Sequence, residues 1–524
     1  MKMHGGSRNF CYLAIPILLL VASVVLSTPA LAQMTSTGLD CSQIGPMQLL
    51  KQDNMRAGQT LVECGVVPGG QPANGKKDET PEAAAPNIRV SNRSCTNAQN
   101  CTKSENMVWG SPDGQTIVVN YNDHNGSSYS GTSYSQDGGT TFTEISPAPF
   151  ASGHGSNYGD PIVVFNAKLS KWFAGDLVTS CGGFGIGLWT STDGKTWTAG
   201  ACAHNGTSDD RESMWVDNEP TSGTYGRMYI SWGDYAAGGD TSVVYSDNGT
   251  TWSSPVRLNN GSPFIRNVQI TGSPVGATRY EGANSTVFVA GMDEGSGGCS
   301  TRQNLMYKSL DGGVTWTHTT LGPRFNAICD ALCSGNSYFA QVNPIIRHMG
   351  WGEPAVGPNG VVHYVYAGKG ASKNDPGDIY YVRSTDNGAT WSTPVKFNLS
   401  KENQFKTQWM PSLSADASGR VTASWYDRKK STSKCNVATD KACSYKRIAR
   451  QSSDNGVTFG AEIAVSPLIN QPQQQDPGVV GCYAGDYDYD TAINGNALIT
   501  WTDGRRNVGG IHVQDVDFAA LPLP

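Results

Sequence analysis

Four ionisable residues stand consecutively at Asp209-Asp210-Arg211-Glu212, and a second set follows at Tyr426-Asp427-Arg428. Glu353, Asp486 and Arg505 stand apart from both sets, and Trp409 lies shortly before the second. Carboxyl groups held together can share a bond cleavage: one protonates a leaving oxygen while another, or a tyrosine, attacks or activates water. Arginines beside them grip anionic groups through a fork of N–H donors, and tryptophan offers a flat apolar face. Other chemistries lack their parts. The eight histidines include no HExxH pair, and the chain has neither a GxSxG elbow nor a P-loop. No CxxC pair gives zinc spacing. Asp486-Tyr-Asp488-Tyr-Asp490 opens like a calcium loop, but Thr491 replaces the required glycine and Ala497 the closing glutamate. The expectation is no metal and no cofactor.

The elements that must position these residues are turn-dense. Of 524 residues, 62 are glycine, 13 tryptophan and 21 tyrosine, while only 16% are charged. That excludes wholesale disorder and reads as all-β. The net charge is −6 and no Lys/Arg block occurs, which argues against a nucleic-acid partner. Residues 1–32 read as an export signal. Lys2 and Arg8 precede an apolar run at residues 11–26, and Ala30-Leu31-Ala32 is a small-residue cleavage site. The expected product is secreted or periplasmic, with no membrane anchor after cleavage. Cleavage would leave twelve of the 13 cysteines, read as loop staples. Cys41 and Cys64 bracket an N-terminal segment and are expected to pair. Cys95/Cys101, Cys181/Cys202, Cys329/Cys333 and Cys435/Cys443 are close neighbours in sequence.

A motif recurs six times. Ser135-Gln-Asp137-Gly-Gly139-Thr-Thr141-Phe142 returns at Ser309–Trp316, Ser384–Trp391 and Ser452–Phe459. Tyr245–Trp252 replaces only the first serine, and Ser191–Trp197 is one residue shorter. Asp accepting from turn amides, Gly at positive φ and an aromatic folding back describe a hairpin tip. Two further strands precede each copy, as at residues 107–111 and 116–121, or 410–415 and 421–426. Four antiparallel strands per repeat make a β-propeller blade. After the sixth copy, residues 485–492, 497–503 and 510–518 supply three strands, and residues 88–92 a fourth. The expectation is an all-β β-propeller of four-stranded blades, seven in number with six the runner-up. Residues 33–86 form a small helical, disulfide-stapled appendage and linker, and residues 87–524 form the propeller.

This spacing resembles the Asp-box (BNR) repeat of the sialidase superfamily over roughly residues 104–465. Strand parity places the box aspartates at one end of the propeller as scaffold. Residues at the start of each first strand and the finish of each second strand then share the opposite end, where a central channel gathers polar groups. Asp210, Glu353, Tyr426 and Asp427 are the catalytic candidates there. Arg211, Glu212, Arg428, Asp486, Arg505 and Trp409 are the substrate-binding candidates. The insertion at residues 317–350 adds Arg347 and His348 as a lid or rim. Asp234, Asp427 and Asp503 recur at one repeat position, which is also what turn caps would do.

The resemblance implies three arginines clamping a substrate carboxylate, an aspartate acid/base, and a tyrosine nucleophile activated by glutamate. The family's Arg-Ile-Pro sequence on the first inner strand is missing. Its nearest counterpart, Ile88-Arg89-Val90, falls on an outer strand. By face and chemistry, Arg211, Arg428 and Arg505 are the candidate triad, and Glu353 with Tyr426 or Tyr487 the candidate nucleophile pair. The expected activity is sialidase-like hydrolysis of a glycosidic bond in a carbohydrate substrate. The alternative is a non-catalytic propeller that binds glycan or protein through the same face.

Overall fold

The computed structural model describes residue 1 and residues 34–71, 86–91, 102–124, 129–145, 150, 152–259, 263–342, 346–372, 375–401, 406–428, 444–467, 469, 476–508 and 510–524. The export signal expected at residues 1–32 falls, but for residue 1, outside them, as do the cysteines at 95, 101, 435 and 443. Seven sheets, each with four antiparallel strands, follow one another along the chain as blades, and the first and fourth each add one short extra strand. Their innermost strands are Lys103–Gly110, Ile162–Asn166, Asp209–Val216, Ile265–Gly272, Glu353–Val356, Gln408–Ala415 and Thr491–Ile493. The seventh blade completes itself with Asn496–Asp503 and Asp515–Pro522, then takes its outer strand from Ile88–Arg89. Ile88 lies opposite Phe518, and Arg89 opposite Asp517. The strand expected at residues 485–492 is divided. Asp488–Tyr489 pairs in parallel with Asn106–Met107 of blade one, and Thr491–Ile493 joins blade seven.

Side-chain hydrogen bonds cross the seams between blades. Asn120 Nδ2 reaches Ile162 O at 3.4 Å, and Asn267 Nδ2 reaches Arg211 O at 2.7 Å. Ser412 Oγ donates to Glu353 at 2.6 Å, and Asn494 Nδ2 carries the ring from blade seven back to Asp113 O of blade one at 2.8 Å. Strands covered on both faces favour apolar side chains, and Ile117–Asp123, Val287–Asp293 and Val362–Gly368 are mostly apolar and buried at every position.

The repeated motif is a turn held by its own side chains. Ser135 Oγ donates to Asp137 at 2.7 Å and accepts from Gly139 N at 2.9 Å, while Thr141 donates through N and Oγ1 to the same carboxylate at 2.9 and 2.6 Å. Those bonds from Thr141 and Ser135 pull the Asp137 carboxyl down to about 2. Gly139 sits at φ 88°, and a Cβ there would strike the Phe518 ring of blade seven, so only glycine serves. The third copy has another register. Ser246 Oγ donates to Asn248 at 3.2 Å, and Asn248 Oδ1 accepts from Thr250 N and Thr251 N, both at 2.9 Å. Asn248 therefore stands where Asp247 is expected, and this turn is of the shorter kind seen at Ser191–Trp197. Asp247 is drawn aside by a forked pair from Arg227, both bonds 2.8 Å.

Residues 34–70 fold over one end of the ring. A short 3-10 turn at Cys41–Gln43 leads through further turns to one α-helix, Met55–Glu63, capped by Asn54 accepting from Ala57 N at 2.9 Å. The Cys41–Cys64 disulfide closes within this segment as expected, and Cys181–Cys202 also forms. Cys329 bonds Cys299 instead of Cys333. Cys333 lies buried next to Cys482. No helix among the described residues is long and apolar enough to cross a membrane.

Asp137→Ala removes the carboxylate bonds of the first turn, leaving the Gly139 N to Ser135 bond, and lowers the unfolding free energy by about 1 kcal/mol, the scale of a lost cap. Asn248→Asp restores the aspartate and changes stability by less than about 0.5 kcal/mol. Chemical denaturation of both variants measures the difference.

Candidate functional site at the polar end of the channel

Four of the seven inner strands start with a shared distortion. Their ladders break between Ser104 and Asn106, Asp210 and Ser213, Asn267 and Gln269, and Trp409 and Ser412. Glu105, Arg211 and Met410 within these breaks take φ of 48°, 53° and 47°, and Asp160 takes 60° just before Pro161. A bulge redirects a side chain out of the strict alternation of a strand, and positive φ at residues with a Cβ survives only where the surroundings enforce it. Here the bulges turn charged groups into the channel at the end opposite the box turns.

Two arginines there grip one carboxylate. Arg211 Nη1 reaches Asp53 Oδ2 at 3.1 Å, and Arg266 Nη1 reaches Asp53 Oδ1 at 2.8 Å. Arg347 Nη2 donates to the backbone carbonyl of the same residue. Burial would raise the Asp53 carboxyl, but Arg266 and Arg211 outweigh it and hold the group at about 2. Each arginine is itself braced. Arg211 lies over the rings of Trp351 and Tyr487, 4.4 and 5.1 Å from their centroids. Arg266 Nε donates to Glu294 at 2.8 Å, and Glu294 also accepts from Trp351 Nε1 and Tyr338 OH, both at 2.7 Å. Arg347 Nε reaches both Asp486 oxygens, at 2.9 and 3.0 Å. All three guanidinium groups are buried.

Carboxyl groups that resist ionisation surround this grip. Burial, followed by the charge of Asp53, raises Asp160 to about 7. Asp160 Oδ2 accepts Arg211 N at 2.8 Å, whereas Oδ1 has no partner among the described residues. Burial also drives up Asp210, Glu212 and Glu105, reinforced by Asp53 for the first, Asp160 for the second and Asp486 for the third. Neither Glu212 oxygen accepts a hydrogen bond among the described residues, and the Tyr487 hydroxyl is likewise without a partner there.

The expected site residues thus divide. Asp210, Arg211, Glu212 and Asp486 gather at this pit with Arg347 of the insertion, as strand parity places them. Arg428 and Arg505 do not join Arg211. Burial lowers the Arg428 guanidinium to about 10, with Asp330 opposing, and its backbone N–H donates to Thr407 O. Arg505 is bound to Asp503 and Asp517 at the outlet of blade seven. The convergent set is Arg211, Arg266 and Arg347. Glu353 and Tyr426 do not bond each other. Tyr426 OH donates to Asp488 at 2.8 Å, beside Arg447, while Glu353 accepts from Ser412. Asp427 accepts from Gln408 at 2.9 Å and Ser400 at 3.1 Å, so its carboxylate ties strands together. Trp409 is wholly buried and stacks on Tyr426 at 5.5 Å, which leaves it no free face for a ligand.

Two central residues escaped sequence reasoning. Arg266 lies opposite Met292, one step from Ile265 opposite Asp293, just as Asp210 lies opposite Gly233, one step from Asp209 opposite Asp234. The same register logic applied to blade four finds it. Asp53 belongs to no repeat and carries no such signal. One His/Cys grouping has metal-like proximity, His154 with Cys181 and Cys202, but those cysteines are bonded to each other and offer no thiolate. The other end of the channel opens as a cavity of about 490 Å³, lined by Trp109, Phe165, Trp215 and Ile270 among others. It lies away from the arginines.

The sequence matches no protein family and no curated protein. Among solved structures it is similar to the PL25 ulvan lyase, with 12% identity over 87% of this chain and 95% of that one, at a TM-score of 0.43. The NanB sialidase of Streptococcus pneumoniae gives 10% identity, 78% and 83% coverage and a TM-score of 0.40. The α-L-arabinofuranosidase Arb93A of Fusarium graminearum gives 12% identity, 59% and 92% coverage and 0.37. None of the three assigns a role to a residue of this chain.

The raised carboxyls fix a sign for pH dependence. Asp160 stays protonated in the folded chain up to about pH 7 but ionises near its ordinary 3.8 once unfolded. Its stabilising contribution is therefore complete below that ordinary value and lost as pH rises through about 7. Asp488, raised by burial to about 7, acts in the same direction. Asp53 acts oppositely: its contribution is complete above 3.8 and disappears only as pH falls towards 2. The melting temperature should be higher at pH 5 than at pH 8, with a smaller difference in Asp160→Asn. An equal slope in both proteins would show that this carboxyl is not held protonated.

Proposed function

We propose that the pit receives the carboxylate of an acidic sugar and that the protein is an exported hydrolase of acidic glycans, sialidase-like in its mode of cleavage. The observation that supports this most is the Arg211 and Arg266 grip on the Asp53 carboxylate, one arginine to each oxygen, with Arg347 alongside. A buried pair of guanidinium groups is costly to leave without an anion, so this is a seat for a carboxylate. With a substrate carboxylate in that seat, Asp160 supplies the general acid, because its free oxygen holds a proton near neutral pH. Tyr487, packed against Arg211, is the attacking group, with Asp210 and Glu212 lining the same pit. The propeller similarity to carbohydrate-active proteins accords with this reading.

The second reading, a propeller that recognises an acidic glycan without cutting it, is favoured by one observation. The carboxyls nearest Tyr487 are all pushed towards the neutral form, which leaves no evident base to activate it.

The test uses Asp53→Ala, which vacates the seat. The panel contains 4-methylumbelliferyl sialoside and glucuronide beside neutral aryl glycosides. Release from an acidic glycoside is expected, reduced at least a hundredfold by a further Arg266→Met, Asp160→Asn or Tyr487→Phe. Equal release from neutral glycosides would remove the carboxylate seat from the mechanism. No release, with binding to acidic glycans on an array, would establish the recognition propeller.

A further inference from the structure

The grip described above is not empty: its carboxylate belongs to the chain itself. Asp53 lies immediately before the helix Met55–Glu63, and its neighbours complete a lid over the pit. Asp53 N donates to Asp210 at 3.1 Å, and Asn54 Nδ2 donates to the same carboxylate at 2.9 Å. Gln52 Nε2 reaches Ser208 at 2.8 Å, and the Lys51 carbonyl accepts from Tyr235 OH at 2.9 Å and from Arg266. On the insertion side, Asn336 Nδ2 reaches Leu50 O at 3.1 Å. Gln52, Asp53, Asn54 and every charged group of the pit are at most 4% exposed.

The rest of the segment is fastened by apolar contact. Leu49, Met55, Leu61 and Val67 are buried in one cluster with Tyr129, Phe184 and Tyr483 of the propeller. Each such side chain contributes about 1.5–3 kcal/mol when fully buried. Yet no disulfide ties the segment to a blade, because Cys41 bonds Cys64 inside it. A structural cap needs only the apolar face. It does not need to aim an ionised carboxylate at two arginines that no other described acid holds in the same way.

We propose that residues 34–70 are a built-in competitive inhibitor: a detachable plug whose Asp53 side chain takes the place of the ligand's carboxylate, so that the intact chain is latent. This rests on the acidic-sugar reading for the identity of the displaced ligand, though not for the detachment itself. Loss of either fastening should free the plug. Asp53→Ala takes from Arg211 its carboxylate partner and leaves Arg266 with the brace of Glu294. Leu61→Asp places a charge in the apolar cluster while leaving every residue of the pit unchanged.

The experiment compares the mature protein with these two variants in two measurements. Hydrogen exchange of the amides of residues 55–63 reports whether the plug is seated. Calorimetric titration with N-acetylneuraminic acid and with glucuronic acid reports whether the seat is open. Exchange in that helix should accelerate at least tenfold in both variants, with either sugar binding at least tenfold tighter than to the unaltered protein. Helix amides as protected in both variants as in the parent would overturn the plug. So would equal sugar affinity in all three proteins. Accelerated exchange without binding of either sugar would support a detachable plug and sink the acidic-sugar reading instead.

Discussion

Everything at the polar end depends on the ring being closed by a strand from the wrong end of the chain. Ile88–Arg89 pairs with Asp515–Pro522, so the last blade is finished by the stretch that precedes the first. Without that strand Asp515–Pro522 would be a bare sheet edge, and the first and seventh blades would rely on the Asp488–Tyr489 pairing and the Asn494 bond. The arginine grip could not tolerate that. Arg211 comes from blade three, Arg266 from blade four and Arg347 from the insertion before blade five, and Asp486, which braces Arg347, comes from the approach to blade seven. Charged groups on separate sheets meet within hydrogen-bonding distance only if every sheet between them has its place around the axis.

Within that frame, the pit is an exercise in unequal treatment of like groups. Asp53 is ionised because two guanidinium groups outweigh its burial, and Asp160 keeps its proton because burial and the charge of Asp53 outweigh the one backbone N–H it accepts. The bulges make this possible. A strict strand would send Arg211 and Glu212 to opposite faces, whereas the break between Asp210 and Ser213 redirects Arg211, which reaches Asp53. At the box end the same residue type does plain work, as Asp137 and Asp454 are exposed, held low by turn hydrogen bonds and remote from the pit.

The propeller was legible because turn chemistry is local and repeats. Ser, Asp, Gly and Thr at fixed offsets satisfy one another within eight residues, so the pattern survives without knowledge of the rest of the chain. The third box shows where this fails: Asp247 and Asn248 can each cap the turn, and only a distant residue, Arg227, decides between them. The site was legible by face but not by depth or partner. Parity placed Asp210, Arg211, Glu212 and Asp486 at one end of the channel, where the arginine grip also lies. It could not show that Trp409 packs inward on Tyr426, nor that Asp503 and Asp517 had already engaged Arg505. Asp53 was out of reach altogether, since a residue outside the repeat is placed by docking, which leaves no periodic trace.

The Cys41–Cys64 bond spans only 23 residues and joins nothing outside the N-terminal segment. During synthesis that stretch is made before the blades and can acquire its cross-link before any of them exists, whereas the surface it covers is not assembled until the final strand is laid down. The stretch that can cross-link earliest is thus one whose complete landing surface exists only when the ring is finished, so its staple can precede its docking.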